Sequence, residues 1–133
     1  MLVNGVEMVS KNFSQRELAC SCCGKCDMHP DMVDILQSIR DYHDKPLFIS
    51  SAYRCVNHPV EVMKDKPGEH TYGMAVDIIC HGGVALDIIK IAQTLSIIRI
   101  GMNQKGRASS RFIHLGIANY HSLDFPSNAL WTY

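Results

Sequence analysis

Neither sign of charge is in surplus in this chain: thirteen Lys and Arg face thirteen Asp and Glu over 133 residues. Nor do the basic residues gather into a patch, so the electrostatic footprint of a nucleic-acid-binding protein is missing and no nucleic-acid partner is expected. Long hydrophobic runs are also absent. The longest apolar stretches fall well short of the ~20 residues that span a bilayer, so no membrane partner is expected. The opening "MLVNGVEMVSKNFSQ" has neither the basic start nor the apolar stretch of a secretory signal. The expectation is synthesis in the cytoplasm without a signal peptide. Internal repeats, low-complexity tracts and Pro/Gly-rich linkers are lacking too, which argues for a single domain over residues 1–133. What the chain does hold is 47% hydrophobic residues, enough to fill one core. It also holds six cysteines, which in such a chain point to thiols or metal ligands more often than to a disulfide framework.

Local signals mark the elements. In "NFSQREL", Ser14 and Glu17 have the spacing of a capping box and Phe13 can staple onto Leu18, so a short helix is predicted to start there. Pro30 suits a first helical position. Behind it Met32, Ile35, Leu36 and Ile39 recur at helical spacing, with Asp31 and Asp34 in the first turn. "LFIS" (47–50) and "AVDII" (75–79) read as strands, joined by a mostly polar connection of about 25 residues, a length usually associated with function. Gly82-Gly83 precede "VALDIIKIAQTL", where Val84, Ile88, Ile91 and Leu95 share one helical face. "SIIRIG" and "RFIHLGI" flank a turn-rich segment and predict a terminal hairpin, and the aromatic tail "FPSNALWTY" should dock on the body. Helices flanking a small, mainly antiparallel sheet make an α+β domain.

His70 and Asp77 lie seven residues apart with Gly73 between them. The Asp falls on the predicted strand and the His on the loop entering it. Alternation along the last strand puts Phe112, His114 and Gly116 on one face and the apolar Ile113, Leu115 and Ile117 on the other. Two imidazoles and one carboxylate leave a tetrahedral zinc ion with one open position, the pattern of catalytic rather than structural sites. Taken singly, each of these residues reads more often as a solvated or hydrogen-bonded structural side chain. The surroundings decide.

"NFSQRELAC", "MHPDMVDILQSIRDY", "FISSAYRCVNHPVE", "GEHTYGMAVDI", "FIHLGI" and the closing "LWTY" resemble, in order and spacing, the zinc D-alanyl-D-alanine peptidases, including small carboxypeptidases and phage cell-wall peptidases. The resemblance covers nearly the whole chain. It implies the hedgehog/D,D-peptidase α+β fold, Zn²⁺ as cofactor, and His70, Asp77 and His114 as its ligands. Arg54 in "SSAYRC" matches the arginine that binds and polarises substrate in related enzymes, a role suited to the rigid guanidinium fork. The implied function is hydrolysis of peptidoglycan peptide bonds, as a D,D-carboxypeptidase or an endopeptidase such as a phage endolysin acting at the bacterial cell wall. A monomer is expected. Two positions depart from the pattern: Arg111 stands where relatives carry an acidic general base, three residues before the last histidine, and Gly116 stands where many carry Asp. Glu69, if extended, points away from the metal. Glu61, Asp65 and Asp124, with His81 and His121, are the other titratable candidates, and each of these, like Glu69, reads singly as a solvated surface residue. These departures favour an alternative, a catalytically impaired zinc-binding module that recognises cell wall or a protein partner.

Cys20, Cys22, Cys23 and Cys26 follow the spacing C-x-C-C-x-x-C, unlike the paired C-x-x-C motifs of ordinary structural zinc modules. Four ligands from seven residues would strain a tetrahedron. Two of these cysteines with Cys55, or with His29, can form a clip or a disulfide; a structural metal, a disulfide and free thiols all remain open. Cys80 closes an apolar strand and is expected to be buried and inert.

Overall fold

A computed structural model describes residues 1–133. It is α+β, as the patterning predicts. A five-stranded sheet has the order β3-β4-β6-β5-β7, formed by β3 (Phe48–Ser51), β4 (Ala75–Ile79), β5 (Arg99–Asn103), β6 (Phe112–Gly116) and β7 (Ala129–Thr132). Every neighbouring pair is antiparallel except β5 and β7, which run parallel. A separate two-stranded ribbon, β1 (Leu2–Val3) and β2 (Val6–Glu7), turns through Asn4-Gly5, both in the left-handed region that hairpin turns require.

Helix α1 (Pro30–His43) begins where Pro30 predicts. Its N-cap is His29, whose Nδ1 accepts the Asp31 amide at 3.1 Å. Met32, Val33, Leu36 and Ile39 are buried. Helix α3 (Gly82–Thr94) buries Ala85, Ile88 and Ala92, packs beside α1 and lies over β6. A single helical turn, α2 (Pro59–Val62), sits in the long connection between β3 and β4. Of the stripe predicted for α3, Ile88 is fully buried while Val84 is 42% exposed, because the helix turns the Ala85–Ile88–Ala92 face inward.

The predicted helix after Ser14 does not form, although its capping box does. The Ser14 amide donates to Glu17 Oε2 at 2.8 Å and the Glu17 amide to Ser14 Oγ at 3.1 Å. Growth then stops because both groups that would continue the helix are taken. The Leu18 carbonyl accepts the Tyr53 amide, and the Cys22 amide donates to Cys20 Sγ. Phe13 and Leu18 are both buried, so the chain is anchored in the core at this turn instead of running past it.

The core lies between the sheet and the α1/α3 layer. Val76 and Ile78 of β4 and Ile113 and Leu115 of β6 point into it, together with Leu36, Ile39 and Ile88. Period-2 alternation turns Asp77 and His114 to the other face. Those two residues are directly opposite in the β4–β6 register. The aromatic tail closes that face. Trp131 of β7 lies over Gly101, where an added Cβ would stand 2.5 Å from the Trp131 Nε1, so only glycine admits the indole there.

Candidate metal centre

The three residues singled out by spacing come together. Ligand atoms of His70, Asp77 and His114 lie within 4.8 Å of one another, and all three side chains are buried. His70 sits on a single 3₁₀ turn, Glu69–Tyr72, which ends at Gly73 with φ 67°. Glycine is needed at 73 on two counts: its positive φ, and a backbone so close to Asp27 and His29 that a Cβ would stand 2.7 Å from the His29 nitrogen.

Hydrogen bonds aim the rings. His70 Nδ1 is 2.6 Å from the Ala52 carbonyl, which fixes the proton on that nitrogen and turns the Nε2 lone pair toward Asp77 Oδ1 at 3.3 Å. His114 Nδ1 is 3.0 Å from the same Oδ1, and its Nε2 is 2.7 Å from Glu69 Oε2. His114 therefore has the arrangement typical of metal-ligating histidines: one nitrogen toward the other donors, the other on a carboxylate. Asp77 Oδ2 is held by Arg54 Nη2 at 3.3 Å, leaving Oδ1 facing both rings. Donor types and their orientation fit zinc.

Charge is tightly coupled here. Burial disfavours a charged ring at both histidines. It wins at His70, whose pKa falls below the ordinary value, and loses at His114, which the Asp77 and Glu69 carboxylates raise. Burial would lift both carboxylates as well, yet the histidines hold Asp77 well below the usual range, and His114 and Arg99 do the same for Glu69.

Glu69 corrects two readings made from the sequence. It is 3% exposed rather than solvated, and it points into the site rather than away. The 3₁₀ turn is the reason: the segment is not extended, and the Pro67-Gly68 turn dipeptide just before it was the available signal. Oε1 of Glu69 accepts Arg99 Nε at 3.0 Å and the Ala118 amide at 3.3 Å. Its carboxylate fills the space over Gly116, where any Cβ would collide with it. The missing side chain at 116 and the carboxylate at 69 are thus one feature.

Glu61 is likewise buried, not a solvated surface residue. It accepts Arg54 Nη1 at 2.9 Å, Lys64 Nζ at 2.9 Å and the Gly68 amide at 2.8 Å. Burial pushes its carboxyl up, and those three partners together pull it down to about 2 from an ordinary 4.5. A carboxyl whose folded pKa lies below the unfolded one stabilises fully above the unfolded value and loses that contribution as pH falls through the folded value. Urea midpoints should therefore fall between about pH 5 and pH 2 in the wild type. They should fall less steeply over the same window in Glu61→Gln, and equal slopes would remove Glu61 as a cause.

Arg54 lines the cleft, its fork held by Ser51 Oγ, Glu61 and Asp77. Those three bonds use three of the five N–H donors of a guanidinium, so two remain for a ligand. The cleft encloses about 550 Å³. Arg54, Lys64, Lys66 and Arg99 line it, and each is paired with a carboxylate: Arg54 with Glu61 and Asp77, Lys64 with Glu61, Lys66 with Asp124 and Arg99 with Glu69. Phe112, Phe125, Trp131 and Tyr133 supply apolar wall. Arg99 stacks between Phe125 and Trp131 at 5.2 and 5.3 Å. Arg111 is elsewhere, its guanidinium on the Gly106 carbonyl. Asp65, His81, His121 and Asp124 do not line the cleft either.

A family profile described as Peptidase M15 matches residues 11–116. The chain belongs to the Peptidase M15 family. This is the zinc D-Ala-D-Ala carboxypeptidase-type family, whose members are zinc-dependent metallopeptidases. The matched span takes in Arg54, His70, Asp77, His114 and the glycine at 116, and leaves Trp131 and Tyr133 outside. No curated protein sequence matches the chain.

Proposed function

We propose that this M15 chain is a zinc peptidase that hydrolyses peptide bonds of bacterial peptidoglycan, as a D,D-carboxypeptidase or endopeptidase working at the cell wall, in the manner of a phage endolysin. The observation that carries the proposal is the buried His70–Asp77–His114 set at the floor of an aromatic-walled cleft that Arg54 also lines. Stem peptides are rich in carboxylates, and the unbonded N–H groups of Arg54 with the exposed ammonium groups of Lys64 and Lys66 offer such a substrate charged donors.

His70 Nε2, Asp77 Oδ1 and His114 Nδ1 would hold the zinc. When bound, zinc supplies Lewis acidity, which acidifies water and polarises a carbonyl. The chain's own residues do the rest. Arg54 keeps Asp77 turned inward and offers its two remaining N–H groups to the substrate carbonyl or carboxylate. Trp131, 5.0 Å from the His114 ring, and Phe125 exclude water from the floor. Glu69 orients His114 through Nε2 and keeps that nitrogen protonated. Because both Glu69 oxygens are engaged, it is a positioning residue.

Glu69→Gln should weaken zinc binding by about 10- to 100-fold, the usual cost of losing a carboxylate behind a metal-ligating histidine. Gly116→Asp alone should lose the fold of the site through collision with Glu69, and pairing it with Glu69→Ala should recover part of the zinc affinity. Chelator competition measures all three, and unchanged affinity in Glu69→Gln would remove its positioning role.

A second reading, a wall-binding module without turnover, is favoured by one observation: Glu69 and Asp77, the acids lining the cleft, are fully engaged, which leaves no carboxylate free to move protons. Digestion of isolated peptidoglycan by zinc-loaded protein separates the two. Released peptides or D-alanine support the peptidase, whereas wall that binds the protein and releases nothing supports the module.

A further inference from the structure

Three of the six cysteines gather outside the histidine site, and a fourth lies in the same turn. Sγ atoms of Cys20, Cys23 and Cys55 lie within 4.8 Å of one another. Cys22 lies in the same turn, its amide on Cys20 Sγ and its exposed thiol 3.9 Å from the Asn57 carbonyl. Cys26 and Cys80 do not: Cys26 packs against the core, and the Cys80 thiol is buried on the Ile78 carbonyl. His29, considered as a clip residue from the sequence, is committed to capping α1 and stacks with His121.

The local backbone is shaped around the sulfurs. The Cys20 amide donates to the Lys25 carbonyl at 2.7 Å, and the Gly24 amide returns to the Cys20 carbonyl at 2.8 Å. With Gly24 at φ 78°, this closes a tight turn that brings Cys20 and Cys23 to one side. Cys20 Sγ accepts two backbone amides, from Cys22 at 3.4 Å and from Cys55 at 3.3 Å. Two N–H groups aimed at one buried sulfur favour a thiolate there. Cys55 comes from the far loop, so only three donors derive from the N-terminal turn and the strain of a four-ligand heptapeptide is avoided.

We propose that Cys20, Cys22, Cys23 and Cys55 bind a structural zinc ion as four thiolates, separate from the His70–Asp77–His114 site. Each ligating thiol gives its proton to solvent as the Zn–S bond forms, with no change of oxidation state. A thiolate set of this kind closes the coordination sphere, as structural sites do. The ion staples the N-terminal turn to the loop that carries Arg54. Cys55 follows Arg54 directly, and the backbone just before it is tied down by Tyr53 N–H to Leu18 O and by Arg54 N–H to His70 O. The zinc thereby fixes the arginine that faces the cleft.

The test is cobalt and zinc binding by reduced, metal-free full-length protein. Wild type loaded with Co²⁺ should show intense sulfur-to-cobalt charge-transfer absorption, which a His/His/Asp site does not produce. The band should disappear in Cys20→Ser and in Cys23→Ser, the latter at an exposed position where folding is not at stake. Zinc content should fall from about two ions per chain to about one in both variants. A thiol-specific mercurial added to zinc-loaded wild type should release one ion and leave the one that His70→Ala removes. Absence of the charge-transfer band in wild type overturns the proposal. So does a disulfide found on thiol titration of the unfolded, unreduced protein. Because the readouts are sulfur-specific, failure of the peptidase reading leaves them unaffected.

Discussion

His70→Ala should bind no zinc at the histidine site and should lose peptidoglycan hydrolysis by more than about 10³-fold, a modest share of the ~10⁶-fold or greater acceleration typical of enzymes. The reason is geometric as well as chemical. His70 is held in place twice, by its Nδ1 on the Ala52 carbonyl and by its own carbonyl, which accepts the Arg54 amide. Removing it also leaves Asp77 and His114 as a two-donor set, below the three protein ligands of catalytic zinc sites. Elemental analysis beside a digestion assay measures both effects. Zinc retained at the cysteines does not blur the outcome, since a thiol-specific mercurial removes it separately. Undiminished hydrolysis in this variant would move the chemistry away from the triad.

Arg54→Lys should lower kcat/KM by about 10²-fold or more while zinc remains bound. Lysine keeps the charge but cannot hold Ser51, Glu61 and Asp77 at once and still present a planar pair of donors to a substrate. Alanine would be a poorer probe. Truncation leaves Glu61 and Asp77 as buried carboxylates short of a partner, a change that costs about 3–5 kcal/mol in comparable buried pairs and confounds catalysis with stability. Wild-type kinetics in a folded, zinc-loaded Arg54→Lys would end the assignment of a substrate role. A loss confined to kcat would place the missing interaction in the transition state, and a rise confined to KM would place it in substrate binding.

Two features of the site have no counterpart in a reading by spacing. Glu69 lies next to His70 in sequence, yet it acts on His114, 45 positions away, because a 3₁₀ turn rotates it over Gly116. Arg99 was legible only as part of a strand. The structure places it behind Glu69, between two aromatic rings. The same holds for the cysteines: Cys20 and Cys23 could be paired with Cys55 only as one option among several, since sequence distance does not say which loop folds back on which turn.

The strands and helices that carry strong periodicity were readable residue by residue. α1 starts at Pro30, β4 covers the predicted 75–79, β6 lies within the run that announced it, and β5 begins in "SIIRIG" and runs two residues past it to Asn103. The helix expected after Ser14 shows the limit: its local signal is correct and its bonds form, but a tertiary bond from Tyr53 to the Leu18 carbonyl outcompetes the next turn. Sequence by itself determined the periodicities, the start of α1 and the residue types able to hold a metal, because these depend on backbone sterics and side-chain chemistry within a few residues. Only the tertiary structure decided that Asp77 and His114 are cross-strand neighbours, that Glu69 fills the space left by Gly116, and that Glu61 and Arg54 are locked together below the cleft. Those outcomes depend on strand register and on which buried charges find partners, and both are settled by packing over the whole sheet.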